Sequence, residues 1–334
     1  MRLTAVILAA GQGTRMKSDL PKVLHPLAGR PLVEYAVQAA EAVTGTLPVL
    51  VVGHGSEQVH RALGGRVRYA VQAEQLGTGH AVLQACDLLQ GQADAILVSY
   101  ADMPLLTEAT LHKIVAGYQA GGGVMSFLTL ITADPRGFGR VVRDASGNPL
   151  GVVEEASCTP EQLAIREYNA GVYCFNAEWL WENLPKIPLS PKGEYYLTDT
   201  VALAVSQGQV AAAVQTTDES ELIGINTRVH LAEAEQALRS RVNRRWMLSG
   251  VTMPDPATTY IEPTVTLGRD TTILPNTHLR GKTAIGSGCR IGPNTMITDS
   301  QVGDCCVITV SVIENQIIEA HARIGPFEYV QGKG

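Results

Sequence analysis

The segment Leu8-Ala-Ala-Gly-Gln-Gly-Thr-Arg15, with Lys22 close behind it, carries residue types and spacing suited to anion chemistry. Gly11 and Gly13 let backbone amides approach an anion, and Arg15 and Lys22 add fixed positive charge, so the segment reads as a phosphate cradle. Met16 stands where GxGxxG needs its third glycine, and no Gly-Lys-Ser/Thr follows, so neither the dinucleotide fingerprint nor Walker A fits. A plain tight turn with surface cations is the alternative, and two cations at this one place argue against it. A second candidate is Asp102. Tyr100-Ala101-Asp102 follows the run Ala95-Ile-Leu-Val-Ser99, which puts a carboxylate at the carboxyl end of a strand, where open α/β sheets present ligands. A helix-capping aspartate is the alternative there.

These groups need a scaffold, and the pattern supplies one. Over about the first 225 residues, aliphatic runs at Ala5–Ala9, Pro48–Val52, Ala95–Ser99 and Gly171–Phe175 alternate with amphipathic stretches such as Pro31–Val43. That alternation predicts an α/β domain with a mostly parallel sheet buried on both faces. From Arg228 to Leu248, Leu231, Ala234, Leu238, Val242 and Trp246 keep helical spacing. Glu233 and Glu235 come early and Arg239, Arg241, Arg244 and Arg245 late, as the helix dipole favours. The arginines could form a nucleic-acid patch, but a solvated helix end is the preferred reading.

Beyond Gly250 the pattern changes. Aliphatic residues recur every six positions at Ile261, Leu267, Ile273, Leu279, Ile285, Ile291 and Ile297, and after a phase break at Val312, Ile318, Ile324 and Val330. A period of six suits a triangular parallel β-helix whose faces each turn one aliphatic residue inward. The sequence closes on Gln331-Gly-Lys-Gly334 without a legible cap, so it is expected to stop part-way through the coils.

A length of 334 residues, 45% of them hydrophobic and 17% charged, allows about two domains with substantial cores. The net charge of −6 offers no general attraction to nucleic acid or anionic lipid, and neither partner is expected. Leu3–Ala10 is too short to span a bilayer and no cleavage site follows it, so no export signal is read. The six cysteines (86, 158, 174, 289, 305 and 306) show no CxxC spacing, which predicts reduced thiols and a cytoplasmic location.

Leu8-Ala-Ala-Gly-Gln-Gly-Thr-Arg-Met16 followed by Leu20-Pro-Lys-Val-Leu-His25 resembles the start of bacterial sugar-nucleotide pyrophosphorylases. Gln72-Ala-Glu-Gln-Leu-Gly-Thr-Gly-His-Ala81, Gly193-Glu-Tyr-Tyr-Leu-Thr-Asp199 and the six-residue repeat extend the likeness over essentially the whole chain. They resemble the bifunctional N-acetylglucosamine-1-phosphate uridylyltransferase and glucosamine-1-phosphate N-acetyltransferase family. The resemblance implies a Rossmann-like nucleotidyltransferase domain over 1–227, a linker helix over 228–250 and the first coils of a left-handed parallel β-helix over 251–334. It also implies Mg²⁺-dependent transfer of UMP from UTP to N-acetylglucosamine 1-phosphate, giving UDP-N-acetylglucosamine and pyrophosphate for cell-wall precursor synthesis.

By the same resemblance Leu8, Ala9, Ala10, Gly11 and Lys22 bind the nucleotide, and Arg15 and Lys22 are catalytic. Gln72, Gly77 and Thr78 hold uracil, the Gln72 amide both donating to and accepting from the base. Tyr100, Ala101 and Asp102 line the centre, Asp102 and Asn226 bind Mg²⁺, and Gly139, Glu154 and Asn169 contact the sugar. His80 is read as structural. Ala101 stands where the family usually has glycine, and Ala170 where threonine is common. A homotrimer through the β-helix is implied. The acetyltransferase site is implied to lie on later coils, so acetylation of glucosamine 1-phosphate is not expected of this chain. Two rivals remain: a pyrophosphorylase transferring ADP or dTDP to glucose 1-phosphate, and a non-catalytic subunit that keeps the fold. Glu154, Asn169 and the Gln72 segment oppose the first; the joint presence of Arg15, Lys22, Asp102 and Asn226 opposes the second.

Overall fold

Alternate residues of the first aliphatic run belong to two different cores. In the computed structural model, which describes residues 1–332, Val6 and Leu8 of strand β1 (Leu3–Ala9) join a buried cluster with Ile96, Val98, Phe127 and Phe175. Ala5, Ile7 and Ala9 join another with Leu50, Leu97, Ile114 and Val172. A strand apolar on both sides must be covered on both faces, and this is why its sequence reads as an unbroken hydrophobic run.

The remaining strands of the sheet are β2 (Val49–Val52), β3 (Arg68–Val71), β4 (Ala95–Tyr100), β5 (Met125–Ile131), β6 (Arg140–Arg143), β7 (Pro149–Val153), β8 (Glu167–Asn176) and β9 (Ala211–Thr216). The nine-stranded sheet runs β9-β5-β8-β4-β1-β2-β3, with β6 pairing β8 and β7. Pairs β1–β2, β1–β4, β2–β3 and β5–β9 are parallel. The expected mostly parallel sheet is present, but the Gly171–Phe175 run lies in β8, which is antiparallel to both β4 and β5. Residues 1–25 and 31–230 make up this unit.

Residues 26–30 and those from 231 onward make up the second unit. The helix Arg228–Leu248, expected as a linker, groups with the coils for most of its length. Asn243, 1% exposed, donates through Nδ2 to the carbonyls of Pro256 and Thr259, both at 2.9 Å, and so ties the helix to the first coil. The Ala28 amide donates to Glu235 Oε1 at 2.7 Å. Of the helix arginines, Arg239 lies over the Tyr260 ring and Arg245 over Trp246, so the cluster is partly spent on aromatic faces.

The coils stack as three parallel sheets. Their register aligns Ile261 with Leu279, Ile297, Ile313 and Val330 on one face. Leu267, Ile285, Val302 and Ile318 align on the second. Ile273, Ile291, Ile308 and Ile324 align on the third. The expected column holds to Ile297 and again at Ile318, Ile324 and Val330, and is corrected at Val312. Val302, Ile308 and Ile313 turn inward, and Val312, predicted for that place, is the neighbour of the true core residue. The cause is three sides of five residues in place of six, ending at Val302, Ile313 and Ile318. Two positions before each inward aliphatic, Thr271, Thr277, Thr283, Cys289, Thr295, Ser300, Cys306 and Ser311 form a second buried column of small residues. Their hydroxyls spend themselves on backbone carbonyls, as Thr271 does on Gly286 and Thr277 on Leu274. Cys306 belongs to this column while Cys305 beside it is exposed, which explains the adjacent pair without a disulfide. The reading of the terminal four residues includes 333 and 334, which lie outside the described residues.

The revised phase is testable. Ile313→Ala should cost about 2–5 kcal/mol, while Val312→Ala should cost under about 1 kcal/mol. Denaturant midpoints of the two variants decide between the phases.

Candidate active site

The site is built where strands β1 and β4 end side by side, Leu8 pairing with Tyr100. The Ala101 amide donates to the Leu8 carbonyl at 3.0 Å, and the Ile225 amide donates to the Asp102 carbonyl at 2.8 Å. The second bond brings a segment from far along the chain against the end of β4 and sets Asn226 beside Asp102. The loop after β1 turns at Gly13 (φ +64°), where a Cβ would lie 2.7 Å from the Lys22 Cβ. Gly13 therefore serves the close passage of Lys22. Lys22, on the short turn Lys22–Leu24, reaches 2.5 Å from Asp102 Oδ2 and 3.1 Å from Asn226 Oδ1. His25 is buried one turn later, and its Nδ1 lies 3.2 Å from Arg228 Nη1, joining the Lys22 turn to the Asn226 segment. Burial first, then the Arg228 charge, holds the His25 pKa below its ordinary value, so the ring accepts as a neutral imidazole.

Two cavities of about 280 and 290 Å³ meet here and share Thr78, Tyr100, Asp102 and Tyr196. They are two lobes of one cleft. Leu8, Ala9, Ala10, Gly11, Lys22, Gln72 and Gly77 line the first lobe. Gly139, Glu154, Asn169 and Asn226 line the second. In the first lobe the Gly193–Asp199 run is pinned over the Gly77 turn: the Tyr195 amide donates to Leu76, the Gly79 amide to Tyr195, and the Leu197 amide to Thr78 Oγ1. This is the physical tie between two stretches the sequence could only place side by side by resemblance. Gln72 is 3% exposed, and its NH₂ is already engaged by the Gly77 carbonyl at 3.1 Å and His80 Nδ1 at 3.0 Å. The expected double role on a base is thereby reduced to one: Oε1 is the group left to accept. His80 acts as the structural partner that holds the Gln72 amide.

In the second lobe, β8 slips register against β5 between Asn169 and Tyr173. The bulge turns Asn169, Ala170 and Gly171 toward Tyr100. Gly171 (φ +78°) tolerates this because a Cβ there would stand 3.0 Å from the Tyr100 ring. Asn169 donates to Tyr173 Oη at 2.7 Å and accepts from the Gly171 amide at 3.3 Å. Glu154 faces the cleft and accepts from Thr198 Oγ1 at 2.9 Å, while Glu155 pairs with Arg140 at 2.8 Å. The two adjacent carboxylates thus divide into one for the cavity and one for the wall. Burial pushes the Glu154 pKa up, with the Glu194 charge adding to it and the Thr198 hydrogen bond opposing. Burial also raises the Tyr100 phenol, and the charges of Asp102 and Glu154 raise it further.

Two expected site residues do not line the cleft. Ala101 is fully buried in the core and contributes its backbone bond to Leu8, and Arg15 is exposed on the turn Thr14–Met16. Glu194, Tyr196 and Thr198 line it and were not singled out, although the Gly193–Asp199 run contains them. Among the described residues lining the cleft, Lys22 is the one cation, facing Asp102, Glu154 and Glu194. Among the described residues no group of three or more His, Cys, Asp or Glu gathers to hold a metal. The Asp102 carboxylate and the Asn226 amide oxygen instead converge on the Lys22 ammonium.

Residues 5–167 match the model of the MobA-like NTP transferase domain, and residues 264–299 match the bacterial transferase hexapeptide model of six repeats. The chain is 44% identical to the bifunctional protein GlmU of Heliobacterium modesticaldum, over 98% of this chain and 72% of the relative. It is 46% identical to that of Exiguobacterium sp. over 99% and 74%, and 43% identical to that of Enterococcus faecalis over 98% and 72%. The chain belongs to the bifunctional GlmU family. It is a sugar-nucleotide pyrophosphorylase, a transferase that works with a divalent metal on a nucleotide and a sugar phosphate. Among the described residues no helix is long and apolar enough to cross a membrane.

The raised Glu154 pKa has a sign. The folded state favours its protonated form, so the associated stability is present below the ordinary carboxylate range and is lost as pH rises through the raised value. Glu154→Gln keeps the acceptor for Thr198 and should raise the thermal midpoint at neutral pH, with the difference disappearing in acid. Equal midpoints at neutral pH would mean that the ionised carboxylate is fully solvated in the cleft.

Proposed function

We propose that the cleft transfers UMP from UTP to N-acetylglucosamine 1-phosphate and releases pyrophosphate, with Mg²⁺ held by Asp102 and Asn226. The observation that carries this reading is the convergence of the Asp102 carboxylate and the Asn226 amide oxygen on one cation, at the junction of two lobes. Hard oxygens in this number suit Mg²⁺, which keeps several waters and completes its shell from substrate phosphates. When bound, the ion neutralises the triphosphate and polarises the α-phosphoryl group. The lining supports the need for it, since three carboxylates against one ammonium repel a triphosphate until divalent charge is added.

This chain's own residues supply position and charge, and no protein nucleophile is required. An oxygen of the sugar phosphate forms the new bond to the α-phosphorus as the bridging α–β bond breaks, and the pyrophosphate leaves with the electron pair. Lys22 places its ammonium on the departing phosphates, and Arg15 reaches them from the exposed turn. Gln72 Oε1 accepts the N3–H of uracil. Cytosine presents a lone pair at that position, so the single remaining acceptor discriminates against it. Glu154 and Asn169 orient the hydroxyl and acetamido groups of the sugar, Glu154 as an acceptor braced by Thr198.

The hexapeptide coils support acetyl transfer to glucosamine 1-phosphate as a second activity, which removes the ground for expecting its absence; thiol release from acetyl-coenzyme A measures it. We further propose a homotrimer through the coils, supported by the parallel β-helix, and a cytoplasmic location, supported by six free thiols.

Pyrophosphate release across a panel of nucleoside triphosphates should favour UTP over CTP by at least about 100-fold in kcat/KM. Asp102→Ala and Lys22→Ala should each lower kcat by about 10²–10³-fold. Equal use of CTP would refute the base assignment, and wild-type turnover by Lys22→Ala at saturating substrates would refute that of Lys22.

A further inference from the structure

We propose that the Lys22 ammonium is the resident cation of the Asp102–Asn226 site in the free protein, so that a divalent ion enters only by displacing it. The inference rests on the metal assignment just made and adds a coupling to it. Lys22 Nζ donates to both oxygens that would hold the ion, at 2.5 and 3.1 Å, and the Lys22 and Asp102 side chains are only 11% and 21% exposed. A divalent ion on the same oxygens would sit about 2.0–2.1 Å from each. A divalent ion on both oxygens would stand in the place the ammonium now holds between them, and at that range the two charges repel one another.

The fold holds the lysine in this position. Gly13 admits its stem, and the His25–Arg228 contact joins its turn to the segment carrying Asn226. Among the described residues the carboxylate paired with Lys22 is that of Asp102, so once displaced the ammonium is taken by incoming phosphates. The free protein therefore binds metal weakly, and nucleotide and metal favour each other's entry through this one side chain. A resident ammonium also neutralises the carboxylate while the site waits for substrate.

The test is Mn²⁺ binding to the full chain without substrates, followed by electron paramagnetic resonance of the free ion. Lys22→Met, which keeps length and removes charge, should bind Mn²⁺ at least about tenfold tighter than wild type. Adding Asp102→Asn should abolish the gain. Unchanged or weaker binding by Lys22→Met overturns the proposal, as does a gain that survives Asp102→Asn, because the ion then sits elsewhere. Should Lys22→Met fail to fold, Lys22→Gln is judged by the same outcomes. Loss of Mg²⁺-dependent turnover in Asp102→Ala, with no tightening in Lys22→Met, removes the displacement alone. Retained turnover in Asp102→Ala removes the metal assignment and the displacement with it.

Discussion

The contact of Lys22 with Asp102 and Asn226 is the constraint on which the rest of the first unit depends. An ammonium, a carboxylate and an amide oxygen are costly to withdraw from water unless each finds its partner, and here they find one another. The three come from the loop after β1, the end of β4 and a segment beyond β9. Their meeting requires β1 and β4 to be adjacent and parallel, the Ile225 amide to dock on Asp102, and Gly13 to leave room for the lysine stem. The sheet supplies the first condition by burying both faces of both strands, which makes their relative position rigid.

Around this centre the two lobes use different means to present polar groups without leaving them unpaired. The lobe lined by Gln72 holds its amide between Gly77 and His80, so a single oxygen is left to accept. The lobe lined by Asn169 uses a strand bulge, which turns Asn169 toward the cavity while Tyr173 and Gly171 satisfy its amide. Each side chain is thus fixed in orientation before a ligand arrives, which reduces the ordering cost of binding.

Much of this was legible in the residues, and the remainder was hidden for physical reasons. Local motifs were readable because a glycine-rich turn with nearby cations, or an aspartate at a strand end, has a short-range cause. The six-residue repeat was readable because every side of the coil obeys the same steric rule. The exposure of Arg15 was not legible because spacing says nothing of where a side chain points. The two-way role of Gln72 failed because its partner His80 meets it only after the intervening turn closes. The direction of β8 was hidden because a strand buried on both faces has no polarity in its hydrophobic run. The inward place of Ile313 was hidden because five-residue sides interrupt the period of six there, and Val312 and Ile313 are equally aliphatic. That Glu155 turns to the wall while Glu154 faces the cleft depends on Arg140, which β6 brings alongside.

One cleft is proposed to bind base, phosphates and sugar in order, with the metal on the Asp102 and Asn226 oxygens. A crystal of the protein with UDP-N-acetylglucosamine and Mn²⁺, measured for anomalous scattering, tests it most directly. Uracil is expected against Gln72, the sugar against Glu154 and Asn169, and an anomalous peak between Asp102 and Asn226 with Lys22 moved onto phosphate. A peak away from those two oxygens, or a ligand lying outside the two lobes, would contradict it.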